Sequence, residues 1–331
     1  MTTLTSEKAR LQKVADLMLE IYEELSRMRY IQRAGIRRGP HNLTHLEAAY
    51  DELGLDSSIK YLYSILPYID PLAAGKDAFS QIGEFTDFRD IEQAEQSRDP
   101  FYGDPSDPNF EDENGPYIQP WVTPLTRLGN HGSVILYDAR RHVIWIIDQE
   151  SWDTTDPALE GHPTKEPQSL NRNSFEHIPH RNAEVVLQDI LQWYHSLEWI
   201  PGSGENTGLE WDGSIFSLRE MYLENGWPDA FDGDAFEVAQ ARSSCVYILQ
   251  EDADHRLEGE NLVHAEMACL RGKLEDARAE VDDWKTRTQN EEDLEELEEL
   301  KKMLVVSEGT VAIYQRAVKA AEAGTGSQVA S

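Results

Sequence analysis

His264-Ala265-Glu266 is one place in this chain where residue types and spacing could do chemistry. A His-x-Glu pair can put an imidazole on a metal and a carboxylate beside it to move protons. That arrangement also needs Pro-Cys-x-x-Cys further on, whereas Cys269 follows the Glu by three residues and Cys245 lies upstream. The pair is read as a helix-surface feature. The acidic run DPSDPNFEDENG invites comparison with a calcium loop, which needs Gly at its sixth position and Glu at its twelfth. Counting from Asp104 puts Asn109 sixth, and counting from Asp107 puts Asp112 there, so the run is read as a solvated loop. Asp148 and Glu150 flank Gln149 at the end of an apolar run, and on a continuing strand both carboxylates would face one way. His131 precedes that run, and His177-Ile178-Pro179-His180 could bring imidazoles toward it. His131, Asp148, Glu150, His177 and His180 are therefore the candidate metal set of a hydrolase or lyase. The plainer alternative has the carboxylates closing the strand end and binding the Arg residues of NRNSFEHIPHR. No nucleophile elbow, Walker loop or Gly-x-Gly-x-x-Gly occurs, and Cys245 sits in the apolar CVYIL, where a thiol ordinarily packs.

These groups need elements to hold them. Residues 6–34 carry Leu11, Val14, Met18, Ile21, Leu25 and Met28 at alternating spacings of three and four, which predicts one amphipathic helix ending near Ala34-Gly35. Five Arg between Arg27 and Arg38 make its far end the most basic patch, read as a solvated face or an internal partner for acidic segments rather than an anion site. Two short helices split at Gly54 are predicted between Thr44 and Leu66, and Pro67 stops the second. Residues 97–120 are too rich in Pro, Asp, Asn and Gly for a regular element and are read as a long surface loop.

LGNHGSVILYDARRHVIWIIDQE reads as a hairpin with a polar turn at Asp138–His142. Val134, Leu136, Val143, Trp145 and Ile147 share one face, and Ile135, Tyr137, Ile144 and Ile146 the other. A ribbon apolar on both faces must be central, with helices over one side and loops or another layer over the other. A helix follows from Asn182 to Leu197, with Val185, Val186, Leu187, Ile190, Leu191, Trp193 and Tyr194 on a broad buried stripe. Shorter helices are expected near 213–226 and 235–250. Beyond residue 258, Leu270, Leu274, Ala277, Val281 and Trp284, then Leu297, Leu300, Leu304, Ser307, Val311, Tyr314, Val318 and Ala321, repeat every three or four residues. Two such seams fit an antiparallel helical hairpin or a dimeric coiled coil.

Composition narrows the function classes. The formal charge is −32, from 62 acidic residues against 30 Lys and Arg, so phosphate backbones and anionic membranes are repelled. Residues 81–115 hold eleven Asp or Glu, and residues 251–299 hold eighteen against six Lys or Arg. Two cysteines are too few for a secreted disulfide framework, and no apolar signal segment or membrane span is visible. A cytoplasmic or nuclear location is expected.

The order LPYIDP, long polar loop, PYIQPWVTPLTRLGNHGSVILYDARRHVIWIIDQE, then SFEHIPHRNAEVVLQDILQWYHSL resembles the layout of the SUKH superfamily, over about residues 44–197. That superfamily includes yeast regulators of cell-wall synthesis and bacterial toxin-immunity proteins. Its matching positions here are Trp121, Pro124, Gly129, the 133–147 hairpin and Ser174-Phe175, the last pair opening the closing helix. The whole chain also resembles acidic proteins of filamentous fungi, with GNHGSV, an RNRNS-like segment and GWPDAFDGDAFE carrying the likeness. The resemblance implies an α+β module that binds proteins and brings no catalytic residues.

The expected fold is α+β: a small antiparallel sheet with a central hairpin packed by helices, plus a C-terminal antiparallel helical hairpin. The expected organisation is a SUKH-like domain over 1–250, an acidic helical hairpin over 251–323 and a disordered tail over 324–331. The expected function is non-catalytic regulatory or adaptor binding of a basic protein partner. Trp121, Trp199, Trp211 and Trp227 are the candidate anchors, with Trp199, Trp211 and Trp227 equally open to a place in the core, and no cofactor, nucleic acid or membrane is expected. A metal-dependent hydrolase or lyase using the His and carboxylate set is the alternative, and a homo-oligomer through residues 258–321 is the third reading.

Overall fold

In the computed structural model the described residues are 2–76, 83–99, 117–127, 133–148, 151, 153–166, 172–201, 218–251 and 259–328. The fold is α+β, with small antiparallel sheets and two long C-terminal helices packed together. The chain forms two compact units. The first comprises Met1–Leu25, Arg33–Pro71 and Asp77–Pro201, and the second Ser26–Gln32, Leu72–Lys76 and Gly202–Ser331. The expected division at 250/251 falls at the C-terminal end of a helix of the second unit.

The first unit holds most of helix α1 (Thr2–Arg27), then strand β1 (Ile36–Arg37), α2 (Glu47–Glu52), α3 (Ser57–Ile65) and β2 (Tyr68–Ile69). After α4 (Pro71–Ala74) come β3 (Glu84–Phe85), α5 (Ile91–Gln96), β4 (Val122–Pro124), β5 (Thr126–Arg127), β6 (Ser133–Asp138) and β7 (Val143–Asp148). Strand β8 (Arg181–Asn182) leads into α6 (Ala183–His195). Helix α1 ends at Arg27, short of the expected Ala34, because Arg29 adopts a left-handed φ of 62° and a further turn follows. Two Arg of the basic cluster meet internal carboxylates: Arg37 bonds Asp70 at 2.8 Å and Arg38 pairs with Glu23. The two short helices before Pro67 form as expected, with Asp56 capping α3 through the Ser58 amide.

The main sheet is four-stranded, in the order β4-β6-β7-β8, and antiparallel throughout. Its β6–β7 hairpin pairs Val134 with Ile147, Ile135 with Ile146, Leu136 with Trp145 and Tyr137 with Ile144. All eight of these side chains are at most 1% exposed, so both faces are interior, as the double apolar pattern requires. One face joins Val134, Leu136, Trp145 and Ile147 to Ile118, Val122, Phe175 and Ile178, which come from loops and from edge strand β4. Toward the other face α6 approaches β7, and Arg10 of α1 and Glu184 of α6 come within electrostatic reach of Tyr137.

Asp138 makes the hairpin turn. Its Oδ1 accepts the Arg140 and Arg141 amides at 2.8 and 2.9 Å, and its carbonyl accepts the His142 amide at 2.8 Å. His142 then sits at φ 57°, a conformation that favours Gly or Asn. Its carbonyl takes the Ala183 amide at 3.1 Å, tying the turn to the start of α6. Asn182 caps that helix through the Glu184 and Val185 amides. Val185 is 45% exposed and Leu191 is only half-buried, so the stripe of α6 is narrower than the sequence suggests. Ser174-Phe175 opens no helix: Ser174 ends a short 3-10 turn, Phe175 is buried at φ 55°, and α6 starts at Ala183.

The second unit contains α7 (Leu218–Glu224), α8 (Gly233–Glu251), α9 (Gly259–Asn290) and α10 (Leu294–Gln328). Helices α9 and α10 pack along each other, and α8 packs on both. The joint core holds Ala241, Cys245, Leu270, Ala317 and Ala321, with Ile313, Tyr314 and Val318 against it. The two seams are therefore partly covered by a third helix. Helix α10 extends to Gln328, past Gly324 where the sequence reading ends it. Among the described residues no helix is long and apolar enough to cross a membrane.

Candidate interaction surface

Asp148 ends β7, and its carboxylate accepts the Ser151 amide at 2.7 Å while its own amide donates to the Asp153 carbonyl at 3.0 Å. That is the turn-closing role of the plainer reading. His180 is held by three neighbours. Arg141 donates to its Nε2 at 2.7 Å, which leaves Nδ1–H to donate to the Ile178 carbonyl at 3.2 Å, and the ring lies 5.4 Å from that of Trp145. Burial lowers its pKa, opposed by the Ile178 bond and helped by the Arg141 charge, so a neutral ring with an occupied lone pair results. His177 is buried, and its carbonyl takes the Lys165 amide. Among the described residues no three His, Cys, Asp or Glu side chains form a group able to hold a metal ion. His131 and Glu150 lie outside the described residues.

Arg181 of NRNSFEHIPHR has its carboxylate partners elsewhere. Arg181 donates to both Asp156 oxygens at 2.7 and 2.8 Å and to Asp189 at 2.5 Å. Asp156 is itself buried and caps a 3-10 turn (Pro157–Leu159) through the Ala158 amide. The plainer alternative pairs the Arg residues of this segment with Asp148 and Glu150, whereas Arg181 meets Asp156, which lies in an unpatterned Pro- and Thr-rich stretch.

Two polar constellations of the first unit escaped the sequence. Tyr137 OH meets His142 Nδ1 at 3.0 Å, and His142 Nε2 approaches Glu184 Oε1 at 3.4 Å. Tyr137 and His142 are five residues apart across a turn, a spacing with no motif attached. Burial raises the Tyr137 pKa and lowers that of His142, so both are neutral near pH 7 and the chain acts as a turn lock. The second is an aromatic cluster around α3. Tyr63 stacks on Phe88 at 4.0 Å, and its hydroxyl reaches Ser97 and Thr123 at 3.0 and 2.8 Å. Burial pushes Tyr63 up to about 12. Beside it, a cavity of about 320 Å³ is lined by Phe88, Ser97, Asp99, Pro124 and Arg127, among others. Arg127 already faces Glu84 at 3.5 Å, and Ser97 is bonded to the Ala94 carbonyl.

The candidate aromatic anchors divide. Trp121 is half-buried beneath the Arg140 guanidinium, 3.6 Å from the ring centroid, and Arg140 is fixed by Asp56 at 2.8 Å. Trp199 is half-buried against Trp193 and Tyr194, with ring separations of 4.5 and 5.8 Å. Trp227, a candidate anchor, is 4% exposed, enclosed by Tyr222 and Phe231 with Arg27 stacked on it at 4.3 Å. The Asn225-Gly226 turn, with Gly226 at φ 85°, folds it back onto α7. Trp211 lies outside the described residues.

Exposed acidic residues line the facing ends of α9 and α10. Glu291–Glu299 reads EEDLEELEE, seven carboxylates in nine residues. Glu291 accepts the Glu292 and Asp293 amides, and Asp293 accepts those of Glu295 and Glu296, so the connection and the first turn of α10 are fixed by capping. Glu292, Asp293, Glu295, Glu296, Glu298 and Glu299 are exposed, and Leu294 stands among them at 78% exposure. Lys301 reaches Glu298, and the Lys301 charge with that bond holds its carboxyl below the usual range. On the α9 side Asp282 and Asp283 continue the acidic surface, and Trp284 is held by Glu280 and covered by Arg287.

Compared with known protein families, curated proteins and solved structures, the chain matches none.

Proposed function

We propose that the protein is a non-catalytic regulatory or adaptor protein that binds a basic protein partner on the acidic helical hairpin, with the sheet unit serving as a SUKH-like scaffold. The observation carrying this reading is the capped start of α10, where exposed carboxylates surround the 78% exposed Leu294. Carboxylates on a fixed helix steer and select a cationic surface, and a central apolar side chain gives that encounter a desolvated contact. The scaffold role is supported by β4-β6-β7-β8, which carries Trp121 and Pro124 at the start of a meander and closes on α6. It is further supported by Asp148 and His180, whose bonding groups are taken up by structure. Gly129 lies outside the described residues.

The test compares proteins captured from cell extract by the full chain, by the Glu292, Glu295, Glu296 and Glu299→Gln variant, and by Leu294→Ser. Partners held by this surface are lost from both variants, and their capture by the parent falls as salt is raised. An unchanged capture profile at all salt concentrations refutes the reading. So does stoichiometric zinc, manganese or iron in the purified protein that disappears on His177→Ala and His180→Ala substitution, which would establish the hydrolase or lyase instead.

A further inference from the structure

The chain has two cysteines, 24 positions apart in sequence, and the fold brings both into one helix interface. Cys245 on α8 is 1% exposed, and Cys269 on α9 is partly exposed. Cys269 packs against the buried cluster that holds Cys245. Both lie in the cluster formed with Leu270, Ala317 and Ala321, and Tyr314 of α10 packs close enough to feel both sulfurs. One turn earlier on each helix, Arg242 donates to Glu266 at 2.6 Å, an ion pair whose carboxylate is 9% exposed. That clamp fixes α8 against α9 at the level of the thiols. Packing alone accounts for one buried cysteine, but it gives no reason for the chain's second cysteine to sit against the first.

We propose that Cys245 and Cys269 are a redox modification site, closing reversibly to a disulfide that locks α8 onto α9, with a low-molecular-weight disulfide such as oxidised glutathione as the oxidant. The more accessible Cys269 reacts first. Its thiolate attacks one sulfur of oxidised glutathione, the glutathione S–S bond breaks, and one glutathione thiolate leaves with the displaced electron pair. The Cys245 thiolate then attacks Cys269 sulfur in the mixed disulfide and expels the second glutathione. The two protons lost by the protein thiols end on the two glutathiones, so two protein thiols are oxidised as one glutathione disulfide is reduced. Burial and the neighbouring Cys269 push the Cys245 thiol up to about 12. The second step is thus the slower one and quickens as pH rises.

Full-length protein is treated with oxidised glutathione, and thiols, intact mass and disulfide-linked peptides are followed. The expected product is a monomer lacking both thiols and two hydrogens, with a Cys245–Cys269 linked peptide, restored by dithiothreitol. Cys245→Ala stops at a mixed disulfide on Cys269. In urea that melts the helices, the ratio of closed to mixed disulfide falls by about tenfold or more, because the fold no longer holds the thiols together. Hydrogen exchange of α8 amides slows on oxidation. Persistent mixed disulfide in the parent, glutathione on both cysteines, chain-to-chain dimers, unreactive thiols, or the same closure ratio in urea would each overturn the proposal.

Discussion

The sheet unit buries Tyr63, Tyr137, His142 and Asp156 and gives each a polar partner, whereas the helical unit fills its bundle with Ala241, Ala277, Ala317 and Ala321 and turns most of its carboxylates outward. Large side chains on both faces of a ribbon leave little freedom to repack, so the first unit is specified by shape and by satisfied hydrogen bonds. Small residues let helices approach closely, and the outer faces are then open to selection for charge. The Glu266–Arg242 pair is an ionic contact at the edge of the bundle, and Ser307 reaching Glu280 at 3.0 Å is a polar break in its long seam. Substitutions in the two regions should accordingly divide into those that change stability and those that change binding.

The largest effect belongs to Trp145→Ala. The indole is fully buried between Phe175 and His180, and its Nε1 donates to the Ile178 carbonyl at 3.2 Å. Its removal should cost about 3–5 kcal/mol in denaturant unfolding, with loss of the cooperative transition at the upper end. A cost under about 1 kcal/mol would mean that the face is not packed as described. Next is Asp156→Ala, which strips the Ala158 amide and most of the Arg181 guanidinium of their acceptor. About 1.5–3 kcal/mol is expected, because Asp189 still receives one Arg181 donor. Tyr63→Phe should follow at about 1 kcal/mol, since only a hydroxyl shared by Ser97 and Thr123 is lost.

How far the sequence reaches is set by how regularly each interaction repeats. The period-two pattern from Val134 to Ile147 shows the ribbon and both its faces, because each apolar residue reports the same environment as its neighbour two positions on. The spacings from Leu270 to Ala321 show two packed helices, and a helix near 235–250 is also legible, yet its packing on them is hidden: α8 meets them through Ala241 and Cys245, too small to stand out. Asp156–Arg181 and Tyr137–His142–Glu184 are invisible because each is a single pairing between segments whose approach depends on the whole fold. Trp227 misleads for a related reason. A turn-rich GWPDAFDG gives no apolar period to place the ring, while the backbone reversal at Gly226 puts the indole inside.

A pH change separates the same two modes of stabilisation more gently. His41, His142 and His180, all in the sheet unit, have pKa values lowered from 6.5, in each case chiefly by burial. Each binds its proton more readily unfolded than folded. Their destabilising effect is therefore absent well above 6.5, grows as pH falls through that value, and is complete below the folded pKa. The unfolding midpoint should fall between about pH 7 and pH 5.5, and His142→Asn should flatten that fall. Asn suits the left-handed backbone at this turn, so lost stability at pH 7 would come from the Tyr137 and Glu184 bonds and can be read separately. An identical pH slope in the variant would show that His142 is not a proton-linked group.

The smallest expected change in stability is the sharpest test of the contrast. Leu294 is 78% exposed, so replacing it with Ser removes little buried apolar area. Asp293, which caps the same turn through the Glu295 and Glu296 amides, is left intact. The unfolding free energy should stay within about 0.5 kcal/mol of the parent. Capture of a charge-dependent partner should nevertheless fall, because the apolar centre of the acidic surface is gone while its field remains. A stability loss as large as that of Tyr63→Phe would mean that Leu294 is packed in solution, for instance against another copy of this surface. Solution mass of the parent and of the variant would then identify a self-association that the substitution dissolves.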